Sequence, residues 1–335
     1  MSKSTQVNFI VSLRAIAALM VCFFHFSDHQ SEHGSLYPAD SLVRQVGYYG
    51  HHGVNVFFVI SGFVIPLSMY YGKYTIQSFG RFIAKRMVRL HPPFILSMLL
   101  YAFMEFVYWF NGDYTIIFDW LRIISNFFLT ARIFGYAWFQ DVYWTLAIEL
   151  QYYLLIALLF PLIVHRKTWV SVTTIISLLL TSYFFDENTK HFFFFHASVF
   201  VLGITLFLHH VGKITGFQML LYAFFSLWIS FTEITPYCTL FIGLTAAAIY
   251  FVHARNKALE WVGEISYSLY LTHAFAGCQL LYYTARYADS TLERAGLMAA
   301  SFAVSIGFAY LFYRVIEVPS VRWSQRIKYR QPAKT

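Results

Sequence analysis

The chain has 335 residues, of which 59% are hydrophobic and 12% charged, with a formal net charge of +8. Soluble domains average about 25% charged residues, so this composition excludes a soluble globular protein and describes a polytopic membrane protein. The Lys and Arg are scattered over short loops, which excludes the basic face of a nucleic-acid-binding domain. Cys22, Cys238 and Cys278 sit singly in apolar segments and make neither a disulfide framework nor a Cys-rich metal site.

Ten apolar stretches run through the chain, at 7–27, 53–71, 92–110, 142–163, 168–185, 192–208, 216–231, 236–252, 263–283 and 296–316. Each has about the length that crosses a hydrocarbon core of ~30 Å. The first carries an arginine in its middle and no clear cleavage site, so it reads as a retained helix rather than a signal peptide. Residues 115–134 are interrupted by Asp119, Arg122, Asn126 and Arg132, and read as an amphipathic interfacial helix or a re-entrant segment. With ten crossings, sixteen Lys and Arg fall on the side of the termini and six on the other, which makes both termini cytoplasmic. The expected organisation is a single transmembrane domain over 1–335 with its core at 7–317. A short basic cytoplasmic tail at 318–335 faces anionic headgroups, and no soluble domain is appended.

Six stretches carry residues that cost energy in an apolar helix. Arg14 and His25 lie eleven residues apart in the first span, which on an α-helix puts them on one face about 16 Å apart along the axis. Snorkelling to the two interfaces explains the pair as well as chemistry does. In the second span, Ser61-Gly62 forms a notch for another helix or for a ligand. His51 and His52 before it are adjacent, so they diverge by about 100° on a helix and chelate poorly. Arg81, Lys85 and Arg89 repeat every four residues, with Arg86 beside them, in a basic helix expected to end at Pro92-Pro93. That helix serves as an anchor on anionic lipid or as a phosphate site. Glu149 lies within the first turns of the fourth span, after Tyr143 and Trp144, where the helix dipole favours a carboxylate. Tyr270 and His273 share a face of the ninth span, and His273 suits either a hydrogen-bonded core position or a site. Glu317, in a helix-ending Ile316-Glu317-Val318-Pro319, is expected to pair with Arg314 or a nearby basic loop. Walker-type loops, a nucleophile elbow and His-Glu-x-x-His spacing are all missing from the sequence.

In this order the motifs resemble those of the membrane acyltransferase 3 family. They are Arg14-x10-His25, Gly53-Val-Asn-Val-Phe-Phe-Val-Ile-Ser-Gly-Phe63, Lys85-Arg86-Met-Val-Arg89-Leu-His-Pro92, Trp144-Thr-Leu-Ala-Ile-Glu149, Ser266-Tyr-Ser-Leu-Tyr-Leu-Thr-His273 and Ile316-Glu-Val-Pro319. Asn55 stands where the family often has Asp, and Val318 where it often has Arg or His.

The resemblance implies an all-α integral membrane protein with about ten helices around a central acyl-transfer pore, in the bacterial cytoplasmic (inner) membrane. The implied enzyme is an acetyl-CoA-dependent O-acetyltransferase without a metal. Its acceptor is a hydroxyl of an extracytoplasmic glycan such as a lipopolysaccharide O-antigen, and its partners are membrane lipids and that glycan, not nucleic acid. The donor's phosphates would meet Arg86, Arg89 and Lys85, and Arg14 would hold its polar arm. His25 would act as general base, or as an acyl carrier, oriented by Glu149 or His273. Ser61, Tyr143 and Trp144 would face the acceptor, and the aromatics Tyr48, Tyr49 and Trp138 fit sugar stacking as well as an interfacial belt. A glycan or lipid flippase is the competing class, though the inverted repeats with broken helices that it requires are not visible. Acylation of a lipid or small secreted molecule shares the chemistry and differs in the acceptor.

Overall fold

The computed structural model describes residues 3–28, 30–31, 34–110 and 119–329. The helices, in chain order, are α1 (Lys3–Ser27), α2 (Leu42–Tyr48), α3 (Gly53–Tyr71), α4 (Phe79–Phe110), α5 (Trp120–Phe127), α6 (Tyr143–Ile163), α7 (Thr168–Phe184) and α8 (Ala197–His210). They continue with α9 (Gly216–Ile229), α10 (Pro236–Phe251), α11 (Lys257–Glu264), α12 (Ser266–His273), α13 (Gln279–Thr284), α14 (Thr291–Phe312) and α15 (Val318–Arg326). A two-residue antiparallel pairing, Gln30–Ser31 with Gly34–Ser35, follows α1. Among the described residues, seven helical stretches are long and apolar enough to cross a membrane. Two more, Thr168–Phe184 and Pro236–Phe251, are shorter and apolar.

Local chemistry sets many of the boundaries. Capping boxes start α9 (Thr215 with Gln218) and α14 (Ser290 with Glu293), satisfying backbone N–H groups that have no helical partner. Asp119 caps α5 and Asn256 caps α11. α10 opens on Pro236 behind the capping Thr235.

Three expectations change. The basic stretch does not end at Pro92-Pro93: α4 runs unbroken for 32 residues with both prolines inside it. Interior prolines are tolerated in membrane helices; the carbonyls that Pro92 and Pro93 leave without a helical N–H are those of Val88 and Arg89, and one residue on, Tyr267 donates to the Leu90 carbonyl at 2.9 Å. The chain also does not stop being helical at Pro319. A π turn (Tyr313–Glu317) joins α14 to α15, and Pro319 follows directly after it as the second residue of α15. The span expected at 263–283 is segmented into α12, a π turn (Ala274–Cys278) and α13. At 115–134, read as an amphipathic interfacial helix or a re-entrant segment, the structure has α5, eight residues long, while 111–118 fall outside the described residues. Trp120, Leu121 and Ile124 of α5 are exposed while Ser125 and Asn126 are buried, as suits an apolar surround.

The chain forms two compact units: Met1–Val54, Leu90–Tyr143 and Ala254–Val321, and then Asn55–Arg89, Trp144–His253 and Arg322–Thr335. The first is built on α1, whose Ala15, Ala17, Ala18, Cys22 and Phe26 are fully buried. Backbone approaches closely here. A Cβ on Gly53 would collide with the Ala17 carbonyl, and one on Gly50 with that of Met20. In the second unit α3 crosses α8 at an equally tight point, where a Cβ on Gly62 would strike the Phe200 carbonyl and one on Gly203 the Val59 carbonyl. The Ser61-Gly62 notch therefore receives a helix. Its neighbour α8 is buried along Ala197–Leu208, and a chain of hydroxyls, Ser182 to Ser198 at 3.2 Å and Ser198 to Ser230 at 3.0 Å, ties it to its surroundings.

Candidate active site

In the first unit, Arg14 and His25 lie on the one continuous helix α1, three turns apart and both half-buried. The His25 ring is 5.1 Å from that of His273, centroid to centroid. His273 is fully buried at the end of α12. Its Nδ1 lies 2.9 Å from the Tyr270 carbonyl and 3.2 Å from that of Leu269. Carbonyls only accept, so Nδ1 carries the proton and Nε2 presents a lone pair; Nε2 is buried and has no hydrogen-bond partner among the described residues. Two imidazoles thus lie side by side, one immobilised in a fixed tautomer and the other half-open.

The open side of His25 faces a cavity of about 480 Å³, within the ~300–1,000 Å³ usual for small-molecule sites. Its wall includes His25, Tyr101, Glu105, Asp141, Cys278 and Gln279. Glu105 is held by a bidentate pair with Arg122, at 2.8 and 3.2 Å, and the Arg122 guanidinium lies 4.4 Å from the centre of the Phe139 ring. Asn126 fastens the same loop, donating to the Ala137 carbonyl and accepting from the Phe139 N–H. Tyr108 donates to Gln279 at 2.6 Å. Asp28, one helical turn past His25, is paired with Arg44 at 2.7 Å. Tyr143, by contrast, is fully buried, edge-on to Phe94 and Tyr101, with its hydroxyl 2.9 Å from that of Ser97.

The second unit holds the remaining candidates. Arg86 is buried, donates to Ser68 at 3.0 Å, and its guanidinium lies 5.3 Å from the Phe82 ring and 5.5 Å from the Tyr153 ring. Its Nε is buried without a partner among the described residues, as a site for one further acceptor would require. Glu149 accepts from Ser61 at 3.1 Å and from the Tyr153 hydroxyl. Tyr153 therefore links the carboxylate to the face of the guanidinium. Lys85 lies 5.5 Å from the Tyr329 ring, and Arg89 is half-buried one helical turn further along α4. Trp144 packs on His196 at 5.6 Å and edge-on to Phe58 at 6.2 Å. Elsewhere in the first unit, Glu317 is buried and accepts from Ser268 at 2.6 Å, while Arg314 lies against Tyr310.

The cavity wall is what the sequence reading missed. Glu105 was the available signal: a carboxylate inside the aromatic run Phe103-Met104-Glu105-Phe106 of a membrane span. Asp141 and Gln279 carry no such mark, because nothing local distinguishes them from ordinary loop and interface residues.

Comparison with known proteins gives these residues a context. The sequence pattern of a family described as an acyltransferase domain matches residues 7–314. A curated relative from Haemophilus influenzae (strain ATCC 51907 / DSM 11121 / KW20 / Rd), described as an uncharacterized protein, is 30% identical over 138 residues, 38% of this chain and 56% of its own length. The chain thus spans little more than half the length of that relative. No solved structure matches.

Proposed function

The chain belongs to the acyltransferase 3 family, and from that premise we propose that it transfers an acyl group, acetyl in the simplest case, from cytoplasmic acyl-CoA to a hydroxyl of an extracytoplasmic glycan. The observation that carries this reading is the half-open His25, backed by a buried imidazole, at the wall of a cavity of about 480 Å³. In this reading the protein crosses the bacterial inner membrane ten times, with Ser266–Thr284 as one crossing and both termini cytoplasmic.

The donor is a substrate, and the residues present suit its charge. Half-buried Lys85 and Arg89 supply cations for its phosphates, and the buried Arg86 guanidinium adds a third positive charge beside them. Glu149 then acts as a positioning residue: it holds the Tyr153 hydroxyl, and Tyr153 covers the guanidinium. Arg14, on the same helix as His25, is assigned the donor's polar arm. At the cavity, His25 takes the proton of the acceptor hydroxyl as its oxygen attacks the thioester carbonyl. The carbon–oxygen bond forms, the carbon–sulfur bond breaks, and the imidazolium returns its proton to the departing thiolate. His273 packs against the His25 ring and limits its orientations.

The test supplies labelled acetyl-CoA to membranes holding equal amounts of wild type, His25→Ala and Arg14→Ala, and measures acetyl groups on the surface polysaccharide by mass spectrometry. Loss of product in both variants is the expected result. Wild-type product from His25→Ala would remove the base from the mechanism.

A further inference from the structure

The cavity beside His25 has a charge pattern that its volume does not reveal. Among the described residues its wall carries three carboxylates, Asp28, Glu105 and Asp141, and no Lys or Arg side chain. Two of the three are neutralised from behind, Asp28 by Arg44 at 2.7 Å and Glu105 by Arg122 at 2.8 Å. Both cations are thereby engaged and turned to carboxylates rather than to the cavity. Asp141 is exposed and has no ion pair among the described residues. A ligand seated here meets one uncompensated negative charge, two carboxylates whose pairs leave lone pairs for hydroxyl donors, and the amide of Gln279. Tyr101 and Phe139 add aromatic surface to the same wall.

From this we infer that the cavity is a charge filter for the acceptor. It seats an uncharged, hydroxyl-rich sugar ring beside His25 and rejects the same ring when it bears a carboxylate or phosphate. The inference rests on the acyl-transfer reading and narrows it. Uncompensated like charge at a binding surface acts against the wrong partner more strongly than it favours the right one. A neutral hydroxyl loses little beside Asp141, whereas an anion must also be desolvated next to it.

The experiment uses the full-length protein in lipid nanodiscs with labelled acetyl-CoA and two acceptor probes that differ at one carbon, p-nitrophenyl glucoside and p-nitrophenyl glucuronide. Transfer to the glucoside is expected to exceed transfer to the glucuronide by about tenfold or more at low salt. That ratio should shrink as ionic strength rises from about 0.01 M to 1 M, where the screening length falls from ~30 Å to ~3 Å. Asp141→Asn removes the uncompensated charge, and Glu105→Gln releases Arg122 toward the cavity. Each is expected to cut the ratio several-fold, and Glu105→Gln the more. Glu260→Gln, which changes the same charge in an exposed pair with Arg255 at 2.9 Å away from the cavity wall, is expected to leave the ratio alone. Equal transfer to both probes by wild type, or a ratio unmoved by both cavity variants, overturns the filter while leaving acyl transfer standing. If neither probe is acylated and polysaccharide extract also stays unlabelled, the acyl-transfer reading fails and takes the filter with it.

Discussion

The two units handle buried polarity in opposite ways. In the first, polar groups converge on an open space: His25 and His273 lie ring to ring, and the Glu105–Arg122 and Asp28–Arg44 pairs line a cavity. The second turns its polar groups on one another. Ser61, Glu149, Tyr153, Arg86 and Ser68 form a run of contacts in which all but the exposed Ser68 are buried or half-buried. Open polarity costs stability and gains access, while satisfied polarity fixes geometry. The difference suggests where chemistry happens and where a cation is held ready, and each assignment has a variant that tests it.

The largest effect is expected from His25→Ala. General-base catalysis contributes about 10²- to 10⁴-fold, so turnover should fall by that factor with an unchanged thermal midpoint. A variant that loses stability instead would give the first unit's histidine a structural role. His273→Phe keeps a ring in place and deletes the nitrogens. Misplacement of a reacting group costs on the order of 10²-fold or less, so kcat should drop within that range while the KM for acyl-CoA holds. A change in KM alone would contradict the positioning role.

In the second unit the expected losses are of stability. Gly203→Val forces α3 and α8 apart at a backbone contact, and overpacking of this kind costs about 1–3 kcal/mol. Chemical denaturation in detergent measures it, and the folded fraction should keep its turnover number. Ser61→Ala removes one of two hydrogen bonds on Glu149, worth about 0.5–1.5 kcal/mol. If that variant instead raises the KM for the acceptor, Ser61 has a binding role and not only a structural one.

The spans were legible in the sequence because long apolar blocks have one physical explanation, and their limits recur within a few residues at α3, α6, α7, α9 and α10. The joins were not. Pro92-Pro93 carries the local signature of a helix start, and only the surrounding packing keeps α4 continuous through it. Arg14 and His25 were visible as a pair because both lie on one helix, at a spacing that fixes their common face. The meeting of His25 with His273 joins residues 248 positions apart, which no periodicity encodes. The same holds for Glu105 and Arg122: each is odd on its own, and their pairing is set by how α5 and the loop after it fold back.

The π turn at Ala274–Cys278 follows directly on His273. Such a turn absorbs one surplus residue without changing the phase of the helix on either side, so α12 and α13 keep their mutual aim across it. The surplus gives the His273 carbonyl a partner outside its own helix, the Ser305 hydroxyl at 3.4 Å, and puts Cys278 on the cavity wall. Deleting one residue there is expected to return a plain α-helix with both flanks in register, and to change the shape of the cavity at Cys278 while leaving His25, on another helix, in place.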